Sequence, residues 1–238
     1  MNGPALEPAL EIVEEIGSTS DALKGRAASG TPGEAALMAR RQTAGRGRLG
    51  RGWQTIPGNL HLSVLLRPPA LRWPGHWSIL SAVALADAVR EHLPDPALLR
   101  LKWPNDLMLG GGKLAGILLE AGTDASPWLV IGFGVNLAGA PDGLGRQTAT
   151  LGPHAPPPEA FARRLLARLQ AWRVRYDAEG FGPVLGAWLR SAHFPGEAVT
   201  ATVGAGQVAG RFAGLAPDGA MLLDTPSGRV TIPAGEVA

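Results

Sequence analysis

The chain has 238 residues, 45% of them apolar, which is enough to bury the core of one sizeable domain or of one domain with a small appendage. A formal net charge of only +2 gives no general affinity for nucleic acid, and the absence of cysteine excludes disulfides, thiolate metal sites and a cysteine nucleophile. The chain opens without a basic and apolar targeting segment, and its apolar stretches are too short for a bilayer span. We therefore expect a cytoplasmic protein that does not enter the membrane.

The first half of the chain is predicted to contain strands at 10–16, 35–40 and 59–66, a short helix at 18–29 and a longer helix at 77–93. The short helix begins with the pattern Ser18-x-x-Asp21, in which the serine hydroxyl caps the first turn. The strand at 59–66 has leucine or valine at every second position, which predicts one buried and one exposed face.

The second half begins with four strands, predicted at 98–103, 107–109, 113–119 and 128–137, and continues with helices at 159–176 and 181–191. Because no helices separate these four strands, an antiparallel meander fits them better than parallel strands joined by helices. The predicted fold class is therefore α+β, with a mixed or antiparallel sheet flanked by helices.

The last part of the chain has a different character. From Pro195 onward, short valine and leucine segments alternate with Gly, Pro and Asp turns, which predicts a small β-barrel. We place the domain boundary near Phe194, so that residues 1–194 form a larger domain and residues 195–238 a smaller one. The sheet of the larger domain could pair with that of a second copy, which leaves the oligomeric state open between monomer and homodimer.

A glycine- and arginine-rich loop at 45–53 is the clearest candidate for chemistry. No Asp or Glu occurs in residues 35–86, whereas the loop alone contains Arg46, Arg48 and Arg51. Glycines let backbone N–H groups approach a ligand, and guanidinium groups bind carboxylate or phosphate oxygens, so the loop is suited to an anion. On its own, the loop could equally be a solvated surface turn or a segment that contacts RNA.

Three shorter segments carry polar or glycine residues in unusual places. In the turn after strand 98–103, Asn105 and Asp106 could hold a metal ion or a ribose, or could bond only to their own backbone. Lys113 opens an apolar strand, where its ammonium group either faces a cleft or reaches solvent. Two glycines in 132–136 allow a flat group to approach the backbone, or allow tight packing between a strand and a helix.

Other common site patterns are missing from the sequence. It contains no P-loop, no G-x-S-x-G and no H-E-x-x-H, and its five histidines lack metal-ligand spacing. The G-x-G-x-x-G match at 45–50 is followed by a strand instead of a helix, so it does not indicate a dinucleotide-binding fold. We therefore expect neither a protein nucleophile nor a protein-bound structural metal.

Taken in order, these segments resemble the biotin–protein ligase family, the biotin–[acetyl-CoA-carboxylase] ligases. The matching segments are Ser18-Thr19-Ser20, Gln42–Arg48, Arg51–Trp53, Lys102–Asp106, Lys113–Leu118 and Gly132–Asn136. The resemblance implies a class II synthetase-like catalytic domain followed by an SH3-like β-barrel. It also implies an enzyme that uses ATP and Mg²⁺ to activate biotin as biotinyl-5'-AMP. The biotin would then pass to a lysine of the biotin carboxyl carrier domain of acetyl-CoA carboxylase or a related biotin-dependent carboxylase.

The resemblance further implies roles for individual residues. It makes Arg48 and Lys113 the catalytic cations beside the biotin carboxylate and the α-phosphate, and it makes Asp106 a ligand of Mg²⁺. The residues implied to bind biotin or the nucleotide are Ser18, Thr19, Ser20, Gln42, Gly45, Arg46, Gly47, Arg51, Trp53, Asn105, Asp106, Gly116, Gly132, Gly134 and Asn136.

Within this set, Ser18, Thr19 and Gln42 are expected to hold the ureido end of biotin. Ser20 stands where the family often has asparagine. Larger members of the family carry an N-terminal helix-turn-helix that binds DNA. Because the first family segment begins at Ser18, we expect no such domain and no DNA partner.

Two other functions stay open. A lipoate or octanoate ligase would share the fold and the chemistry, although segments 42–48 and 102–106 favour biotin. A non-catalytic biotin sensor or nucleic-acid binder would use the arginine loop without ATP-dependent acyl transfer, and its affinity for nucleic acid would fall with added salt.

Overall fold

The computed structural model describes residues 8–123, 126–143, 145–192 and 196–237. Seven strands of this region form the larger sheet: β1 (Leu10–Ile16), β2 (Ala35–Gln42), β3 (Leu60–Leu66), β4 (Leu99–Lys102), β5 (Asp106–Leu109), β6 (Gly112–Gly122) and β7 (Trp128–Val135). Their spatial order is β1-β2-β3-β7-β6-β5-β4. The pair β1 and β2 is parallel and the other neighbouring pairs are antiparallel, so the sheet is mixed. The predicted α+β class is confirmed.

Helices cover both faces of this sheet. They are α1 (Thr19–Ala28), α2 (Pro74–Arg90), α3 (Pro158–Glu179) and α4 (Gly182–Leu189). Leu23 of α1 packs on one face with Leu37 and Val130, whereas the other three helices contribute to the larger core on the opposite face. Helix α1 begins as predicted, because the Ser18 hydroxyl accepts a hydrogen bond from the backbone N–H of Asp21 at 3.3 Å. No helix in the described part of the chain is both long and apolar enough to cross a membrane.

Strand β3 is buried on both faces, so the predicted half-buried strand is wrong. Leu60, Leu62 and Val64 belong to the larger core, whereas Leu65 belongs to the core under α1. Ser63 lies on the same face as Leu65 and is 0% exposed. The alternation of apolar residues identified one covered face, but the second face is covered by a helix whose position the strand sequence does not specify.

Five strands near the C terminus form a second sheet: β8 (Ala198–Val203), β9 (Gly206–Leu215), β10 (Met221–Thr225), β11 (Gly228–Ile232) and β12 (Glu236–Val237). They are antiparallel in the order β11-β10-β9-β8-β12, which agrees with the expected SH3-like domain. The boundary proposed at Phe194 lies outside the described residues, so the division into 1–194 and 195–238 stays a prediction.

The two sheets share one continuous apolar core. Trp188 of α4 packs against Phe212 of β9, with ring centroids 6.2 Å apart. The indole Nε1 of Trp103, just after β4, donates a hydrogen bond to the carbonyl oxygen of Gly219 at 3.1 Å. These contacts hold the small sheet against the larger one, so we expect both to unfold in one transition.

Replacing Trp188 with alanine is expected to lower the free energy of unfolding by about 3–5 kcal/mol, because the side chain is only 1% exposed at the junction of the two sheets. Urea denaturation followed by circular dichroism measures this change. Leu189→Ala provides a matched control, since the neighbouring side chain is 37% exposed and its removal should have a much smaller effect. Equal losses for the two variants would contradict the shared core.

His61 in β3 gives the protein a second measurable property. The residue is 1% exposed, neither ring nitrogen has a hydrogen-bond partner among the described residues, and burial lowers its pKa to about 4. The unfolded chain binds this proton near pH 6.5, so stability should fall as the pH drops from about 6.5 to about 4, by about 3 kcal/mol in total. Urea unfolding across this range, compared with His61→Leu, tests the assignment. A variant with the same pH dependence as the parent protein would refute it.

Candidate active site

A cavity of about 370 Å³ opens on the α1 face of the larger sheet. The predicted site residues that line it are Ser18, Thr19, Ser20, Gln42, Arg46, Gly47, Arg48, Arg51, Trp53, Asn105, Asp106, Lys113, Gly116, Gly132 and Gly134. Gly45 and Asn136 line a neighbouring cavity of about 1200 Å³ instead. The structure therefore brings together residues from the arginine loop, α1 and four strands, and places the two remaining residues in the lining of the neighbouring cavity.

One end of the first cavity is lined by hydroxyl groups and an amide. The Gln42 Oε1 atom accepts hydrogen bonds from the Thr19 backbone N–H at 2.8 Å and from the Thr19 hydroxyl at 3.0 Å. The Ser63 hydroxyl lies 2.7 Å from that of Thr19 and 3.0 Å from that of Ser20. A Cβ atom at Gly132 would lie 2.6 Å from Ser20 Oγ. This uncharged polar end can exchange hydrogen bonds with a neutral ligand group that both donates and accepts.

Ser63 was missed by the sequence analysis, although its hydroxyl lies between those of Thr19 and Ser20. The available signal was a hydroxyl side chain between Leu62 and Val64 in a strand that otherwise looks like core. A buried polar group in such a strand needs hydrogen-bond partners, so it points to a polar cluster on that face.

The indole ring of Trp53 lies against glycines of β6 and β7. A Cβ atom at Gly134 would lie 2.3 Å from Trp53 Cε2, and one at Gly116 would lie 3.1 Å from Trp53 Cζ3. The ammonium nitrogen of Lys113 lies 5.9 Å from the centroid of the same ring. The flat group that lies on these glycines is thus the Trp53 indole. A contact between the glycines and a ligand stays a prediction.

The arginine loop folds back on itself as a short hairpin. The Trp53 N–H donates to the Gly45 carbonyl at 2.9 Å, and the Gly47 N–H donates to the Arg51 carbonyl at 2.7 Å. A Cβ atom at Gly45 would lie 2.5 Å from the Trp53 carbonyl oxygen, so the close approach of the two backbones requires glycine. Leu49 at the tip has a φ of 55° and is 76% exposed. Gly45 therefore shapes the loop, and its predicted ligand contact is untested.

Carboxylates from distant segments neutralise two of the three loop arginines. Arg46 forms ion pairs with Asp21 and with Glu120, the latter at 3.3 Å. Arg51 forms an ion pair with Glu236 of β12. Carboxylates also pair with Arg40 and Arg41, so four of the seven arginines in the acid-free stretch at 35–86 have their charge compensated from elsewhere in the fold.

Arg48 differs from its two neighbours, since it forms no ion pair within the described residues. Its guanidinium donates to Asn105 Oδ1 at 3.1 Å and to the carbonyl oxygen of Gly235 at 3.2 Å. Burial lowers the pKa of Arg48, while Asp106 opposes this effect and Arg51 adds to it. A half-buried cation with neutral partners is stabilised when an anion arrives, so Arg48 is the loop arginine best placed to bind one.

Lys113 and Asp106 form a contact at the other side of the same cavity, with 2.5 Å between Nζ and Oδ1. Burial lowers the pKa of Lys113, the Asp106 carboxylate raises it, and the charges of Arg146 and Arg51 lower it. Within the described ranges, no group of three or more His, Cys, Asp or Glu side chains is placed to hold a metal ion. The assignment of Asp106 as a Mg²⁺ ligand therefore stays a prediction.

Asn136 is buried, and its side chain bonds to backbone groups. Its Nδ2 atom donates to the carbonyl oxygens of Lys113 at 3.3 Å and of Ala149 at 3.1 Å. The Lys113 N–H in turn donates to the Gln147 carbonyl at 3.0 Å. Asn136 thus ties the segment 147–149 to the start of β6, and its predicted position beside a nucleotide is untested.

Two further charged residues that line the first cavity, Arg146 and Glu236, were also missed. Arg146 lies in a connection rich in glycine and proline, and Glu236 lies in a two-residue strand at the end of the chain. Neither segment carries a motif, so only the tertiary fold shows that they reach the site.

The chain belongs to the biotin/lipoate A/B protein ligase family, which it matches over residues 13–136. Residues 195–238 match the biotin protein ligase C-terminal domain. The chain is 40% identical to the biotin--[acetyl-CoA-carboxylase] ligase of Paracoccus denitrificans, with 92% of this chain and 95% of that protein covered. It is 37% identical to the protein of the same name from Mycobacterium tuberculosis, with 96% and 88% covered. The family resemblance inferred from the motifs is confirmed.

A solved structure extends this similarity to three dimensions. The biotin protein ligase from Aquifex aeolicus in complex with biotin and ATP aligns with a TM-score of 0.84 at 28% identity. The alignment covers 96% of this chain and 97% of that one.

Gly134→Ala is expected to displace the Trp53 indole, because the added Cβ atom would lie 2.3 Å from Trp53 Cε2. Such overpacking should weaken the binding of ATP by about tenfold or more, as measured by isothermal titration calorimetry. Gly25→Ala in α1 is the matched control, since a Cβ atom there meets nothing within 4 Å and should leave binding unchanged. Unaltered ATP affinity of the folded Gly134→Ala variant would argue against a role for the indole position.

Proposed function

We propose that this protein is a biotin–[acetyl-CoA-carboxylase] ligase, which activates biotin with ATP and transfers it to a lysine of a biotin carboxyl carrier domain. One observation carries the proposal: Arg48 without a carboxylate partner, the half-buried Lys113 and an uncharged hydroxyl-lined end share a single cavity. The names of the Paracoccus and Mycobacterium relatives support the same activity. The cytoplasmic location, the choice of carrier protein and the state as monomer or homodimer stay predictions.

In the first step, a carboxylate oxygen of biotin attacks the α-phosphorus of ATP and pyrophosphate leaves. Both reactants are anions, so they repel each other until cations offset the charge. Arg48 would bind the carboxylate or the α-phosphate with its two guanidinium branches, and Lys113 would approach the same oxygens from the opposite wall. The hydroxyl groups of Thr19 and Ser63, with Gln42, would hold the ureido end of biotin away from the reacting atoms.

The contact between Lys113 and Asp106 would change when substrates bind. A phosphate oxygen would compete with the Asp106 carboxylate for the ammonium group of Lys113. The same carboxylate interacts electrostatically with Arg48. Released from Lys113, Asp106 with the adjacent Asn105 offers oxygen ligands to Mg²⁺. This donor set fits an ion that enters with ATP, because Mg²⁺ usually takes one or two carboxylates and completes its shell with phosphate and water. The ion would screen the negative charge of the phosphates.

In the second step, the amine of the carrier lysine attacks the carbonyl carbon of biotinyl-5'-AMP. The bond between that carbon and the phosphate oxygen breaks, AMP leaves with the electron pair, and the lysine nitrogen loses a proton. No covalent bond to the protein is needed, which agrees with the lack of a nucleophile motif in the sequence. The hairpin at 45–53 would lie over the mixed anhydride and limit its hydrolysis.

A lipoate or octanoate ligase remains the second candidate, because the matched family includes both classes. The polar cluster of Thr19, Gln42 and Ser63 favours biotin, since a ureido group both donates and accepts hydrogen bonds and an aliphatic chain does neither. Competition between biotin, lipoate and octanoate for the protein decides between them. A sensor or nucleic-acid binder would instead show no ATP-dependent transfer and salt-sensitive binding to DNA or RNA.

Arg48→Ala and Lys113→Ala are each expected to slow adenylate formation by at least tenfold and by about a hundredfold in the typical case, since one positioned cation is lost. Release of pyrophosphate in a single turnover, with biotin and ATP added to the enzyme in the absence of a carrier domain, measures this step directly. Arg163→Ala on α3 is the control, because this exposed arginine lies away from the cavity lining. A folded Arg48→Ala or Lys113→Ala variant that releases pyrophosphate at the parent rate would refute its assigned role.

A further inference from the structure

The second cavity, of about 1200 Å³, adjoins the first and shares part of its lining with it. Trp53 and three cations, Arg51, Lys113 and Arg146, line both cavities. The other cations that line the second cavity are Arg40 and Arg41. Among the residues that the structure describes, this lining contains no Asp or Glu, so the cavity favours an anion.

Most of these cations already have carboxylate partners that lie outside the lining of the second cavity. The pairs are Arg40–Glu14, Arg41–Glu15, Arg51–Glu236 and Lys113–Asp106. Arg146 forms no ion pair with another described residue. Its guanidinium is therefore an uncompensated positive charge at the boundary of the two cavities, and Arg48 is another in the first cavity.

The backbone beside Arg146 is fixed to the strand that carries Lys113. The Lys113 N–H donates to the Gln147 carbonyl at 3.0 Å, and the Ala149 N–H donates to the Lys113 carbonyl at 2.9 Å. The Asn136 Nδ2 atom donates hydrogen bonds to the carbonyl oxygens of both Lys113 and Ala149. Arg146 is also close enough to lower the pKa of the Lys113 ammonium. A polyanion that extends from the first cavity into the second would thus meet Lys113 and Arg146 in succession.

We propose that Arg146 binds the β- and γ-phosphates of ATP in this second cavity and stabilises the leaving pyrophosphate, an inference that rests on the proposed function. In the activation step, the bond from the α-phosphorus to the oxygen that bridges to the β-phosphorus breaks. Its electron pair stays on that oxygen, so negative charge grows on the pyrophosphate side while the carboxylate attacks from the other side. A guanidinium group without a carboxylate of its own is suited to this charge, because it can bind two phosphate oxygens at once.

The test separates the two half-reactions. For Arg146→Ala, biotin-dependent exchange of labelled pyrophosphate into ATP should show KM values for pyrophosphate and ATP raised by about tenfold, with the KM for biotin unchanged. Transfer from purified biotinyl-5'-AMP to a carrier domain involves no pyrophosphate and should proceed at the parent rate. Arg146→Lys should restore part of the loss, and the surface variant Arg163→Ala should behave as the parent protein.

The possible outcomes separate a failure of this inference from a failure of the proposed ligase function. A parent protein with no biotin-dependent exchange would refute the proposed function. An active parent whose exchange is unaltered by Arg146→Ala would overturn the inference alone. Equal losses of Arg146→Ala in both half-reactions would indicate a general structural effect, and that result would also overturn it.

Discussion

Positive charge that has no partner within the protein is the constraint on which the site depends. Arg46 and Arg51 have the same side chain as Arg48 and lie within five residues of it, yet carboxylates from other parts of the fold neutralise them. Arg48 is bound only by an amide and a carbonyl oxygen. The paired arginines hold the hairpin in place, and this arrangement leaves the charge of Arg48 for an incoming anion. If all three guanidinium groups lacked carboxylate partners, they would repel one another and the loop would be poorly ordered.

The wall of the cavity opposite the arginine loop is formed by strand residues that have no side chain. Glycine at 116, 132 and 134 lets the Trp53 indole and the Ser20 hydroxyl lie directly on the strands. Asn136 supports the same wall from behind, because it joins the start of β6 to the segment that precedes α3. The shape and the charge of the cavity are thus determined by different residues.

Features determined by local sequence could be predicted, and features determined by tertiary contacts could not. The cap at Ser18, the strand meander and the motif residues of the cavity follow from short patterns, so the sequence located them. The pairing of Arg46 with Glu120 joins the arginine loop to β6 across 74 positions of sequence, and no local pattern encodes it. Ser63 was hidden because its neighbours gave the strand an apolar character. Arg146 was hidden because the loop around it has no periodicity from which a direction could be inferred.

The bond from Arg48 to Gly235 joins residues 187 positions apart, and this separation has a consequence for how the site is made. A ribosome produces the chain from its N terminus, so the arginine loop is synthesised long before the segment at Gly235 that holds Arg48. The shared apolar core also needs residues of the second sheet, such as Phe212 and Leu223. Newly made protein would therefore complete its core and the rim of its cavity only after the second sheet has been synthesised.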